Sequence, residues 1–324
     1  MRILELGKFY PPYRGGMETL LRSWSEGFVR SGATVECVVA NDRPVAIDEV
    51  LNGVHVHRLA SLGKLFSVSL CPEYVNATRA FPADVWHAHL PNPLADLACL
   101  RGDTRVPLVI SYHSDIIRQS AVMGMYRPLL HAMLRRADRI VVATPAHIEN
   151  SPVLPRFRDK CEVIPFGVDL LPYAKTPALL EQAEEYRKQA GGRAILLNIG
   201  RLVGYKGQRY LIEAARSLDA VVWIVGTGPL RRELEMLAEE MGVGSRVRFW
   251  DDASDSQVAA LLHACDVFVL PSITPNEAFG MVQIEAMACG KPVVSCRLPS
   301  GVPWVNRDGE TGRIVPPADA GALA

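Results

Sequence analysis

The stretch Pro275-Asn276-Glu277-Ala278-Phe279-Gly280-Met281-Val282-Gln283-Ile284-Glu285-Ala286-Met287-Ala288-Cys289-Gly290-Lys291-Pro292 lies between two short apolar runs, 266–271 and 292–296. The pattern predicts a strand, a loop, a helix opening near Gly280 and a second strand, which is a βαβ unit of a parallel sheet. The opening turn of that helix offers free backbone N–H groups and the positive end of its dipole, a ready anion site. Glycine at 280 lets a phosphate approach closely. Glu277 falls just before the helix and Glu285 one to two turns inside it. Two carboxylates therefore flank one anion site at different depths, although a plain surface helix with an acidic start reads the same way.

Outward from this block the same alternation continues along the chain. Apolar runs at 2–7, 34–40, 55–60, 84–89, 108–113, 139–144 and 162–166 predict strands, with amphipathic helices at 17–31 and 123–136 between some of them. The series restarts at 194–200, 220–226, 246–250, 266–271, 292–296 and 312–315. Strands this apolar, separated by helices, belong to parallel sheets covered on both faces, and two series give two Rossmann-like α/β domains. Pro165, Gly167, Pro172 and Pro177 stop regular structure between them, which divides the chain into 1–167 and 168–324. The helical run 178–190 is then a connector or the first helix of the second domain. A new helix is only starting at 316–324, so an end there reads as a truncation.

Composition excludes several classes. With 324 residues, 49% hydrophobic and 22% charged, the chain is globular rather than disordered. It has no apolar stretch of about 18 residues to span a bilayer, and its first five residues already carry charge, unlike a signal peptide. Seven scattered cysteines without a Cys-x-x-Cys pair argue against a disulfide framework or a structural zinc, and for the reducing cytoplasm. The net charge is zero, with a basic excess in the first half balanced by an acidic one in the second. No basic domain of the kind that grips nucleic acid appears. The basic half suits an anionic acceptor or a membrane surface, and equally ordinary surface variation. The segment 127–139, with Arg127, Arg135, Arg136 and Arg139 around Leu129, Leu130, Met133 and Leu134, reads as a membrane-touching helix or as a domain helix with an apolar core face.

Four further motifs carry chemistry. Asn198-Ile199-Gly200-Arg201-Leu202-Val203-Gly204-Tyr205-Lys206-Gly207 follows a strand, and a turn through its glycines brings Arg201 and Lys206 toward one diphosphate. Gly226-Thr227-Gly228-Pro229-Leu230-Arg231 starts like a dinucleotide fingerprint but has arginine at the third glycine position, so it reads as a tight turn lining a nucleotide cleft. Gly15 and Gly16, in the run from Lys8 through Arg14 to Glu18, precede a helix and suit close approach to a ligand. His87 and His89 share one face of a strand and invite a zinc reading, for which the sequence offers no third ligand at convincing spacing; His113 ends the next strand, where a cleft residue belongs.

Taken as an ordered set, Gly15-Gly16, His113, Gly200-Arg201 with Lys206-Gly207, Gly226-Thr227-Gly228-Pro229, and Glu277-x-Phe279-Gly280 with Glu285 resemble glycosyltransferase family 4. The resemblance covers nearly the whole chain. It implies the GT-B fold, two Rossmann-like domains with parallel sheets facing each other across a cleft. It further implies a retaining, metal-independent, cofactor-free hexosyl transfer from a GDP- or UDP-sugar to a glycan or lipid-linked acceptor, in the cytoplasm or on the inner face of the plasma membrane. By the same resemblance Arg201 and Lys206 hold the diphosphate, Glu285 the ribose and Glu277 the transferred sugar. The N–H groups of Phe279, Gly280, Met281 and Val282 cap sugar and phosphate, and His113 meets the sugar. Gly15 and Gly16 line the phosphate and acceptor side, and Phe249, between Arg248 and Trp250, marks the base. A sugar-nucleotide epimerase on the same fold and a nucleotide-sugar binder without turnover are the alternatives.

Overall fold

A computed structural model describes residues 1–13, 15–65, 68–115, 120–251 and 253–324. The chain divides into two compact units, Met1–Phe166 and Gly167–Ala324. In the first, strands β1 (Arg2–Leu6), β2 (Thr34–Ala40), β3 (Ile47–Leu51), β4 (Val54–Leu59), β5 (Lys64–Leu65), β6 (Val68–Ser69), β7 (Val85–Leu90), β8 (Leu108–Tyr112), β9 (Arg139–Val142) and β10 (Cys161–Val163) alternate with helices α1 (Gly16–Arg30), α2 (Ala77–Ala80), α3 (Pro93–Arg101), α4 (Ser120–Arg136) and α5 (Pro145–Asn150). Its main sheet runs β10-β9-β8-β7-β1-β2-β4-β3, parallel except for the β3–β4 pair. In the second unit, helices α6 (Pro177–Gln189), α7 (Gln208–Ala214), α8 (Arg231–Glu240), α9 (Asp255–Ala264), α10 (Met281–Ala288), α11 (Val302–Val305) and α12 (Ala320–Leu323) accompany strands β11 (Ala194–Ile199), β12 (Ala220–Val225), β13 (Val247–Trp250), β14 (Val267–Leu270), β15 (Val293–Cys296) and β16 (Gly312–Val315). Their order is β13-β12-β11-β14-β15-β16, and every paired neighbour is parallel.

Both sheets are doubly wound, and their apolar strands explain why. Strands such as β12, buried at all six positions, need cover on two faces. In the first unit Leu4, Leu6, Ala88, Leu90 and Ile110 pack one face, while Ile3, Val35, Cys37 and Val39 pack the other with Leu21 of α1. Each fully buried aliphatic side chain of this kind contributes about 1.5–3 kcal/mol. α4 spends its apolar side on this core. Leu130, Met133 and Leu134 are buried, and Arg136 donates to the Val106 carbonyl at 2.5 Å. Arg127, Arg135 and Arg139 remain exposed.

The chain order reverses between β1 and β7 in the first sheet and between β11 and β14 in the second. At such a switch point the loops leaving two adjacent strands diverge, which opens a crevice at the carboxyl ends of the strands. Glycines close the second crevice's walls. Gly207 holds φ +69°, and a Cβ there would lie 2.0 Å from the Pro271 carbonyl oxygen. Gly207→Ala therefore destabilises the second unit by about 1–3 kcal/mol from backbone strain alone; thermal unfolding should show the loss, and an unchanged midpoint would contradict it.

Candidate functional site

The second unit's site grows from three strand ends. The chain leaves β11 through Gly200, Arg201 and a single 3₁₀ turn, Gly204–Lys206. Leu202 N–H donates to Thr227 O at 2.9 Å, and Gln208 Nε2 donates to Arg201 O at 3.1 Å, which pins this loop against the one leaving β12. The glycines of that second loop serve this packing. A Cβ on Gly226 would lie 2.2 Å from Gly200 O, and one on Gly228 2.4 Å from Leu202 O. The 226–229 turn is thus a backbone-to-backbone contact, with Gly226 at φ +138°.

After β14 the chain passes Ser272 and Glu277 before α10. Lys206 reaches across the switch point and places Nζ 2.6 Å from Glu277 Oε2, with the two side chains 13% and 10% exposed. Ser272 Oγ donates to the same oxygen at 2.8 Å, and Ile273 N–H to Tyr205 O at 2.8 Å. Burial pushes the Lys206 ammonium down, but the Glu277 charge and hydrogen bond outweigh it and leave its pKa raised, while Arg201 pulls slightly the other way. Lys206 is therefore held as a cation at neutral pH. Arg201 stands nearby and exposed.

Gly280 caps α10 in the left-handed region, φ 73° and ψ 58°. The sequence reading gave this glycine to phosphate approach. The structure gives it a reason of its own, since a Cβ would fall 2.8 Å from Leu270 Cδ2 and 2.6 Å from Gln283 Nε2. Phe279 is buried, and Met281 and Val282 form the opening turn whose N–H groups have no intrahelical acceptor. One turn in, Glu285 meets the Tyr173 hydroxyl. Burial raises the Glu285 pKa, the Tyr173 hydrogen bond lowers it in part, and Asp255 adds to the rise.

At the sheet edge Phe249 lies under Arg231, whose guanidinium carbon is 4.5 Å from the ring centroid. Arg231 also pairs with Glu235 at 2.6 Å and with Asp251 at 2.5 Å. That face of Phe249 is thus covered by the Arg231 guanidinium, itself paired with Asp251. Asp252 lies outside the described residues. Trp250 packs against Tyr186 and Trp223, and Arg248 covers it at 3.9 Å.

In the first unit Gly15 is extended and Gly16 begins α1; a Cβ on Gly16 would meet no described residue within 4 Å. Arg14 lies outside the described residues. His113 follows β8 and is buried, its N–H donating to Leu90 O at 3.0 Å. His87 and His89 have a third partner after all. Glu5 of β1 is fully buried, with Oε1 3.0 Å from His87 Nδ1 and Oε2 2.8 Å from His89 Nε2. These three offer ligand atoms within 4.8 Å of one another. The partner was hidden because it comes from the neighbouring strand, 82 residues away, where Glu5 is in register with His87. Burial pushes the Glu5 pKa up, but the two histidines reverse this and bring it to about 2.

Sequence reasoning also missed Ser272, Tyr173 and Arg231. Ser272 and Tyr173 follow turn residues in stretches with no pattern of their own. Arg231 was visible only as a missing glycine.

Two doubly wound sheets, with two cations and a capped helix start at a switch point, define a class: α/β proteins built to hold a phosphorylated ligand. Comparison with known proteins narrows it. The family model for glycosyl transferases group 1 matches residues 181–324, and that for the glycosyl transferase 4-like domain matches residues 15–167. The chain is 35% identical to D-rhamnosyltransferase WbpZ of Pseudomonas aeruginosa over its whole length and 84% of that protein. It is 30% identical to O-antigen chain mannosyltransferase C of Escherichia coli, again over its whole length and 86% of that protein. Sucrose-phosphate synthase from Thermosynechococcus elongatus shares the fold, with a TM-score of 0.82 at 24% identity over 99% of this chain and 87% of that one. HepE of Anabaena in complex with UDP-glucose shares it with a TM-score of 0.80 at 23% identity over 100% and 88%. The chain belongs to the group 1 glycosyltransferases of the family-4 type, with the GT-B fold, and transfers a sugar from a nucleotide sugar.

Proposed function

We propose that the chain transfers a hexose from GDP-mannose or a UDP-hexose, with retention of configuration, to a hydroxyl of a glycan or lipid-linked acceptor. The carrying observation is the Lys206–Glu277 pair at the switch point, beside the Gly280-capped start of α10. A charged lysine, an exposed arginine and the opening turn of α10 offer the leaving diphosphate its positive charge from the protein itself. Lys206 and Arg201 neutralise the charge that grows on that group. Glu285 accepts from the ribose hydroxyls, Glu277 from hydroxyls of the sugar, and the N–H groups of 279–282 cap sugar and phosphate. In the first unit His113 contacts the sugar, and Gly16, with Gly15, admits phosphate and acceptor. The base lies at the end of β13, by Phe249 and the Arg231–Asp251 pair.

The reaction in this reading is a front-face substitution. The acceptor oxygen bonds to the anomeric carbon as the bond to the diphosphate breaks on the same face, and the departing phosphate takes the acceptor proton. Retaining hydrolases use two carboxylates about 5 Å apart, one as nucleophile. Here Glu277 is engaged by Lys206 and Ser272, which suits a positioning role better than a nucleophilic one. Positioning and charge stabilisation together supply many kcal/mol. The mannosyl- and D-rhamnosyltransferases among the relatives favour a transferred sugar of the mannose type. No described helix is long and apolar enough to cross a membrane. Attraction to anionic headgroups would fall to Arg127, Arg135 and Arg139.

The test is transfer itself: nucleotide release from each donor with candidate acceptors, and the anomeric configuration of the product. Activity should survive EDTA within twofold. Complete loss restored by Mg²⁺ or Mn²⁺, or an inverted product, would overturn this mechanism.

A further inference from the structure

On the α1 side of the first sheet, where Ile3 and Val39 make an apolar layer, the centre is polar. Adjacent strands β1, β7 and β8 bring Glu5, His87, His89 and Ser111 into lateral register, and His113 follows two residues later. All five are at least 95% buried. Trp24 of α1 stacks on His87, with ring centroids 5.3 Å apart at 13°. Five polar side chains in an apolar layer cost several kcal/mol unless each finds a partner, so their hydrogen bonds are ordered.

The order follows from the one member that can only accept. Glu5, ionised, takes hydrogen bonds on both oxygens, so His87 donates from Nδ1 and His89 from Nε2. Burial, then the neighbouring His87, holds His89 below its ordinary pKa, and it is neutral. Its Nδ1 is then an acceptor, and the atom facing it at 3.0 Å is His113 Nε2, which donates. On the other arm His87 Nε2 pairs with Ser111 Oγ at 2.7 Å. His113 is likewise kept neutral by burial and by the adjacent histidines. Having its proton on Nε2, it carries a bare lone pair on Nδ1. That atom is buried and has no hydrogen-bond partner among the described residues.

We infer that Glu5, acting through His89, fixes the tautomer of His113 so that Nδ1 is an acceptor reserved for a hydroxyl of the transferred sugar. Glu5 and His89 are positioning residues. The inference rests on the proposed sugar contact of His113 for its ligand, while the proton order stands on the hydrogen bonds and on the neutrality of the buried His89. It also assigns the Glu5–His87–His89 cluster to proton ordering instead of metal binding, because each ligand atom already has a hydrogen-bonded partner. In the sugar, the complement is an O–H donor; a donor substrate deoxygenated at the contacted carbon loses it.

Two measurements test this on the intact protein. Long-range ¹H–¹⁵N spectra of the histidines should show His113 as the neutral Nε2–H tautomer at pH 7, unchanged by EDTA or by added Zn²⁺. A proton on His113 Nδ1, or resonances that shift stoichiometrically with Zn²⁺, overturns the inference whatever the activity. Glu5→Gln and His89→Gln should each lower kcat about 10- to 100-fold, the scale on which partners of oriented histidines act. The donor KM should move much less, and His113 should become a tautomer mixture. Wild-type rates alongside a mixed His113 signal would also overturn it. Should Glu5→Gln fail to fold, the wild-type spectrum decides alone. Failure of the underlying functional reading looks different: the unaltered protein then shows the expected tautomer and transfers no sugar from any nucleotide donor.

Discussion

Lys206→Ala should lower turnover at saturating donor about 10²- to 10³-fold, the scale of removing one preorganised donor from a site of developing charge. The effect is large because Lys206 is both shielded from water and held as a cation by Glu277. Charge that grows on the diphosphate as the glycosidic bond breaks meets a fixed ammonium that needs no reorganisation. The substitution also leaves Glu277, 8% exposed, with Ser272 as its remaining described hydrogen-bond partner. Part of that cost is relieved if the carboxyl takes up a proton, so some stability is lost as well. Steady-state kinetics at a temperature well below the variant's unfolding midpoint separates the two effects. A fall of less than tenfold in kcat would remove Lys206 from the reacting centre.

Glu277→Gln should act in two opposite directions. The amide keeps the shape but not the charge, so a sugar hydroxyl that gives its proton to a carboxylate in the transition state loses a charge-assisted bond. We expect kcat to fall about 10- to 100-fold on the scale of charged positioning groups. Affinity for GDP or UDP alone should hold or rise, because Lys206 no longer has a carboxylate competing with the diphosphate. Calorimetric titration beside kinetics reads both. Weakened nucleotide binding with intact kcat would reverse the assignment and make Glu277 a nucleotide ligand.

The sequence carried most of the architecture because the strands are buried on both faces. Runs such as 34–40 and 312–315 coincide with β2 and β16, and the other predicted strands differ by one to three residues at their ends. What escaped was strand without an apolar signature. β3, Ile47–Leu51, is an antiparallel edge strand with mostly exposed side chains, and β5 and β6 are two residues each. Edge strands have one free flank and need no alternation to be stable.

The site was legible as residue types and illegible as pairings. Lys206 and Glu277 are 71 positions apart, and Glu5 and His89 84, as their numbering gives; only the reversal of strand order makes each pair adjacent. Glycines misled in a consistent way. Gly280 read as ligand clearance, yet the fold itself requires it, as it requires Gly226 and Gly228 of the tight turn, whereas a Cβ on Gly16 meets no described residue. A glycine motif signals close approach and does not say to what.

In the proposed reaction the crevice at the second unit's switch point holds the nucleotide of the donor. The direct test is calorimetric titration of the intact protein and of its Glu285→Ala variant with GDP and with UDP. One nucleotide should bind the unaltered protein with a stoichiometry near one. The variant should bind it at least tenfold more weakly, a loss of about 1.4 kcal/mol, because ribose contacts present in ground and transition states alike are lost as binding. Binding of neither nucleotide, or equal affinity in protein and variant, would contradict the claim.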